Sequence, residues 1–97
     1  MRLAPADIVA IKAAAAETFG DDAVVRLFGS RVDDRRRGGD IDLHLEVSDL
    51  PGLAARSHFL DRVETATDGR KVDTVFSIRG TISNGFERIA YRDGIVL

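Results

Sequence analysis

The chain has no cysteine. That excludes disulfides and thiolate metal sites, and it agrees with an expected location in a reducing cytoplasm. No stretch approaches the ~18 consecutive apolar residues of a membrane span. Neither sign of charge dominates: 14 basic residues face 16 acidic ones, a formal −2 at pH 7. Nothing global therefore draws the chain to nucleic acid or to a membrane surface. Internal repeats, low-complexity tracts and linkers are absent too. The Ala-rich segment 1–19 reads as a cytoplasmic helix rather than a secretory leader, because Asp7, Lys12 and Glu17 interrupt any apolar core there. With 97 residues and 44% hydrophobic content, one domain over 1–97 with a single modest core is expected.

Pro5 suits a first helical turn, Ile8, Ile11, Ala15 and Phe19 fall on one stripe, and Gly20 supplies a stop. A helix over 5–19 follows. A strand is expected over about 23–28, and Ser30-Arg31-Val32-Asp33 matches a capping box that starts a short helix. Arg35-Arg36-Arg37-Gly38-Gly39 cannot easily continue it. A second strand spans 41–47, and Asp49 and Pro51 open a helix over 50–67 with Leu53, Leu60 and Val63 on one side. Gly69 closes it, and 71–76 reads as a third strand. Ser83 or Asn84 caps a last helix holding Phe86, Ile89 and Ala90 against the core, and Gly94 ends it before the short apolar tail 95–97. The order is α-β-(α)-β-α-β-α, hence an α/β or α+β class with a mixed sheet of three or four strands and helices on one face.

The chemistry concentrates between the first two strands. In strict alternation Asp40, Asp42, His44 and Glu46 share one strand face, and Ile41, Leu43, Leu45 and Val47 share the other. Two carboxylates at i and i+2 lie ~6.5–7 Å apart along the strand, by the ~3.3 Å rise per residue. They repel one another unless a cation sits between them. Mg²⁺ takes such oxygen ligands, and the pair either converges on one ion or brackets two. The Gly29-Ser30 turn offers backbone N–H groups to an anion. Asp73, in the middle of the next strand, is expected on the same acidic surface, because burying it alone would be costly. Cation site and anion site together point to a metal-bound nucleoside triphosphate. Each part alone is weak: acids on half-exposed strands and Gly-Ser turns are common.

Joined in order, the parts resemble a known family. Leu27-Phe28-Gly29-Ser30-Arg31 with Gly39-Asp40-Ile41-Asp42-Leu43 looks like the signature of the polymerase-β-like nucleotidyltransferase superfamily. The chain's size is similar to that of its minimal members. Arg70-Lys71-Val72-Asp73-Thr74-Val75 resembles the third-aspartate strand, and 86–97 resembles the customary tail. The resemblance implies a small nucleotidyltransferase fold that binds ATP with Mg²⁺ and transfers a nucleotidyl group. It also implies a partner, since many minimal members are antitoxins of HEPN-domain ribonuclease toxins, and in the characterised type the transferase adds AMP to a toxin tyrosine. Carried over by position, Gly29 and Ser30 hold the triphosphate, Asp40 and Asp42 the metals, and Asp73 is metal ligand or base. Nine residues separate Ser30 from Asp40, one fewer than is usual in the minimal antitoxins, and His44 stands where leucine or valine is typical.

Other residues read more plainly. Arg31, beside the turn, is a phosphate candidate, whereas Arg35, Arg36 and Arg37 read first as a solvated run balanced by Asp33 and Asp34, with a grip on phosphates or an acidic partner surface as the alternative. His44 is expected to be a half-exposed strand residue, His58 lies in a helix with no ligand set, and Tyr91 serves packing or a partner surface. Lys71 shares the face of Asp73. Three rival readings stand beside the leading one. The same fold could neutralise a toxin by contact alone, with a weak or unused site. It could transfer nucleotides to a small molecule or nucleic acid, or the acids could merely keep a sheet face wet.

Overall fold

Pro5 opens the first helix, α1 (Pro5–Phe19), and Asp7 Oδ2 accepts the Ala4 N–H at 3.2 Å. Gly20 ends it at φ +103°, a conformation that favours glycine, and its N–H bonds to the Ala16 carbonyl at 2.9 Å. The computed structural model describes residues 3–28, 41–81 and 85–97. The remaining elements are β1 (Val24–Phe28), β2 (Ile41–Val47), α2 (Leu53–Ala66), β3 (Val72–Ile78), α3 (Gly85–Asp93) and β4 (Ile95–Val96). The expected short helix after Ser30 and the Ser83 or Asn84 cap lie outside the described residues.

The four strands form one mixed sheet in the order β3-β2-β1-β4. β1 runs antiparallel to β2 and to β4, while β2 and β3 are parallel. A parallel pair needs a long crossover, and α2 is that crossover. The apolar tail turns out to be a strand: Arg26 pairs with Val96 and Leu27 with Ile95. Gly94 permits this close return. A Cβ there would run into the Ala90 carbonyl and lie 3.1 Å from the Arg26 Cβ.

Alternation puts Val25 and Leu27 of β1 and Ile41, Leu43, Leu45 and Val47 of β2 on one face, all buried. Ile11, Ala14 and Ala15 of α1 and Phe59 and Val63 of α2 complete that core. Phe19 joins the layers, its ring centroid 5.2 Å from Phe59 and 5.3 Å, edge-on, from Phe76.

Two expectations need correction. α2 starts at Leu53 behind Gly52, not at Leu50, because Pro51 steers the residue before it out of helical geometry. Leu53 is consequently exposed rather than packed. Helices on one face describes α1 and α2 only: Tyr91 of α3 lies against Arg26 and His44, which occupy the opposite face. Ala90 of α3 is buried, though not in the core cluster formed by α1, α2 and the other sheet face; the side chains of Phe86 and Ile89 are not among those described.

Candidate functional site

Two of the three candidate acids, Asp42 and Asp73, are brought side by side where β1 ends and the parallel strands begin. Phe28, the last residue of β1, pairs with Asp42, and Asp42 pairs in parallel register with Asp73. Each aspartate is the second residue of its strand. Both side chains therefore leave the same face, from backbones spaced about 4.7–4.9 Å apart. Asp42 is half-buried, while the Asp73 side chain is 52% exposed. Lys71 shares that face, its Nζ 3.9 Å from Asp73 Oδ1.

Gly29, Ser30, Arg31 and Asp40 lie outside the described residues, as do Arg35, Arg36 and Arg37. Among the described residues no group of three or more His, Cys, Asp or Glu side chains could hold a metal ion. The chemistry of the paired acids still fits one kind of ion. Two oxygen donors on one face, one of them open to solvent, suit Mg²⁺, which takes one or two carboxylates and completes its shell with water and phosphate.

Further along the same face the structure departs from expectation. His44 is fully buried, not half-exposed. Its Nε2 shares a 2.8 Å hydrogen bond with Ser77 Oγ, and its ring meets Tyr91 edge-on at 4.7 Å. The Arg26 guanidinium lies 4.6 Å from the same tyrosine ring and donates to Glu46 Oε1 at 2.9 Å. Tyr91 thus packs, as expected, and its packing closes a polar layer beneath α3. Ser77 and Arg26 were not foreseen. Ser77 shares its parity with Asp73, so alternation would have placed it on this face once the strand was extended to residue 78.

Glu46 belongs to an ion-pair network rather than to the acidic pair. Arg79 Nε donates to Glu46 Oε2 at 3.2 Å, and Arg79 Nη1 reaches Asp22 Oδ2 at 3.1 Å. Burial pushes the Glu46 carboxyl up, but hydrogen bonds and charge from Arg26 and Arg79 outweigh it and hold it below its ordinary value. The face is therefore divided: arginines occupy the end near Glu46, and two aspartates gather at the other. Compared with known proteins, the chain matches no family profile and no curated protein.

Proposed function

We propose that this chain is a nucleotidyltransferase that moves AMP from Mg-ATP onto a protein hydroxyl, a tyrosine of a HEPN-domain ribonuclease toxin, and so acts as its antitoxin in the cytoplasm. One observation carries the reading beyond the sequence motif: Asp42 and Asp73, far apart in the chain, are register partners on one face. They stand at the sheet end from which Phe28 leads into Gly29 and Ser30.

In this reading Gly29, Ser30 and Arg31 hold the triphosphate, and Asp40 and Asp42 hold Mg²⁺, with Asp73 as a further ligand or as the base. Bound Mg²⁺ supplies neutralisation of phosphate charge. The rest falls to the chain's own groups. A tyrosine hydroxyl has an ordinary pKa of about 10, so it needs help to lose its proton. Asp73 is exposed enough for an incoming acceptor to reach, and as base its carboxylate takes that proton. The acceptor oxygen then forms its bond to the α-phosphorus while the bond to pyrophosphate breaks, and pyrophosphate leaves with the electron pair. Lys71 orients the Asp73 carboxylate from one side.

Intact-mass measurement of a HEPN toxin after incubation with this chain, Mg²⁺ and ATP tests the reading. An added adenylyl mass on a toxin tyrosine supports it. An unmodified toxin in a stable, silenced complex would favour neutralisation by contact.

A further inference from the structure

Among the described residues β3 is an outer strand of the sheet, and its unpaired side is long. The ladder bonds at the two ends of the β2–β3 pair are made by odd-numbered residues: Ile41 N–H donates to the Lys71 carbonyl and Arg79 N–H to the Val47 carbonyl, at 2.9 and 2.8 Å. In a parallel pair each second residue turns both backbone groups to its neighbour. Asp73, Val75 and Ser77 therefore face β2, and Val72, Thr74, Phe76 and Ile78 turn their N–H and C=O groups outward. Among the described residues only the Ile78 carbonyl on that side is engaged, by Thr81.

Protein edges are commonly blunted by proline, a bulge, brevity or charge. Val72–Ile78 has seven residues, no proline and one charged side chain. The edge is chemically graded as well. Asp73 stands at its start, and Ile78, 37% exposed, at its end. The start of α2 borders the same strand, with the Arg56 guanidinium 4.8 Å from the Phe76 ring centroid and Leu53 exposed beside Gly52.

We infer that the outer edge of β3 is the docking site for the acceptor protein, which adds an extended segment there as a further strand. The inference rests on the transferase reading. An added strand runs about 4.7–4.9 Å from β3, and its residue opposite Asp73 projects from the face of Asp73 and Asp42. The segment that fits carries a hydroxyl residue at that position. Its alternate residues are apolar, because they fall on the side of Phe76 and Ile78. Main-chain hydrogen bonds provide the binding, and register brings the hydroxyl to the acids.

The test uses a short peptide alternating valine and serine around one central tyrosine, with lysine at both ends. Amide exchange of this chain and transfer from α-labelled ATP are measured with and without the peptide. Exchange at Thr74 and Phe76 slows about tenfold on peptide binding, the effect of one or two backbone hydrogen bonds, and that at Val75 does not change in step. Thr74→Pro removes an outward N–H without touching the β2 ladder; it lowers peptide labelling about tenfold or more and leaves Mg-ATP binding intact. Unchanged exchange at Thr74 and Phe76 while the peptide is labelled would overturn the inference and leave the transferase reading standing. So would protection already present without peptide and dependent on protein concentration, which would give the edge to a second copy of the chain. Protection by peptide with no label transferred would sustain the docking edge, and the toxin assay then decides the transferase reading. Should Thr74→Pro fail to fold, the exchange measurement on the unaltered chain still decides.

Discussion

His44 shows how much a single residue's role depends on what covers it. Two positions from Asp42 on the same strand face, it could have met solvent, but Tyr91 closes over it and Ser77 gives it a partner. A polar ring taken wholly from water must have its hydrogen bonds met. Ser77→Ala removes the 2.8 Å bond from a buried site, and a buried group stripped of its partner costs about 1–3 kcal/mol. Thermal unfolding should therefore shift downward by about 4–8 °C for each kcal/mol lost in a domain of this size. A Ser77→Ala protein melting with the unaltered chain would show that the bond carries no net stability. Gly94 makes a comparable point about backbone: it has no strained φ, yet the nearness of Ala90 and Arg26 leaves no room for a side chain.

Elements differ in how openly the sequence declares them. α1 was legible to both ends, because Pro5 and Gly20 are local signals that act within one turn. β2 was legible too, since seven residues alternate without interruption. The start of α2 was misplaced: Asp49 resembles a cap, but Pro51 and Gly52 keep the chain extended until Leu53. β4 was unreadable as a strand because two residues carry no period, and only pairing with β1 makes them one. The meeting of Asp42 and Asp73 was foreseen as a shared surface, while their register depends on the length of the α2 crossover and could not be counted out. Arg26 and Ser77 stayed hidden for a related reason, because their significance comes from α3 and not from their neighbours in sequence. The seam between α1, α2 and β3 rests on aromatic packing. Phe59 has no exposed surface and touches Phe19, so Phe59→Ala should cost about 3–5 kcal/mol, measured by urea denaturation. A cost under about 1 kcal/mol would mean that the seam collapses to refill the space, which close-packed cores rarely do.

As a whole, the molecule keeps its apolar layer and its charged chemistry on opposite sides of one sheet. Its radius of gyration is 12.5 Å, the value of about 12.5 Å that the size scaling of folded domains gives for a chain of this length. The far face is stitched by a network running from Arg26 through Glu46 and Arg79 to Asp22, joining β1, β2 and the ends of β3 and α1. Burial opposes ionisation of Glu46, yet the two arginines hold its carboxyl below the ordinary value of 4.5 in the folded chain. A carboxyl that is more acidic when folded contributes stability above its unfolded pKa. That contribution is lost as pH falls through the folded value. Urea midpoints should therefore decline below about pH 4.5, with Glu46→Gln less stable than the unaltered chain near neutrality and the gap closing toward acid. A gap that stayed constant from pH 7 to pH 3 would remove Glu46 from the acid response.

Nucleotidyl transfer by this chain is decided by following the label in ATP marked either at the α- or at the γ-phosphate, with Mg²⁺ and a HEPN toxin as acceptor. Asp42→Asn and Asp73→Asn are run beside the unaltered chain. Only the α-label should reach the toxin. Asp42→Asn should lose transfer together with Mg-ATP affinity. With Asp73 as base, its asparagine variant keeps that affinity and slows transfer by about 10²–10⁴-fold, the usual worth of a positioned base; with Asp73 as ligand, affinity falls too. Transfer of the α-label undiminished in both variants, or no transfer by the unaltered chain, would contradict the assignment of the register-paired acids to nucleotidyl chemistry.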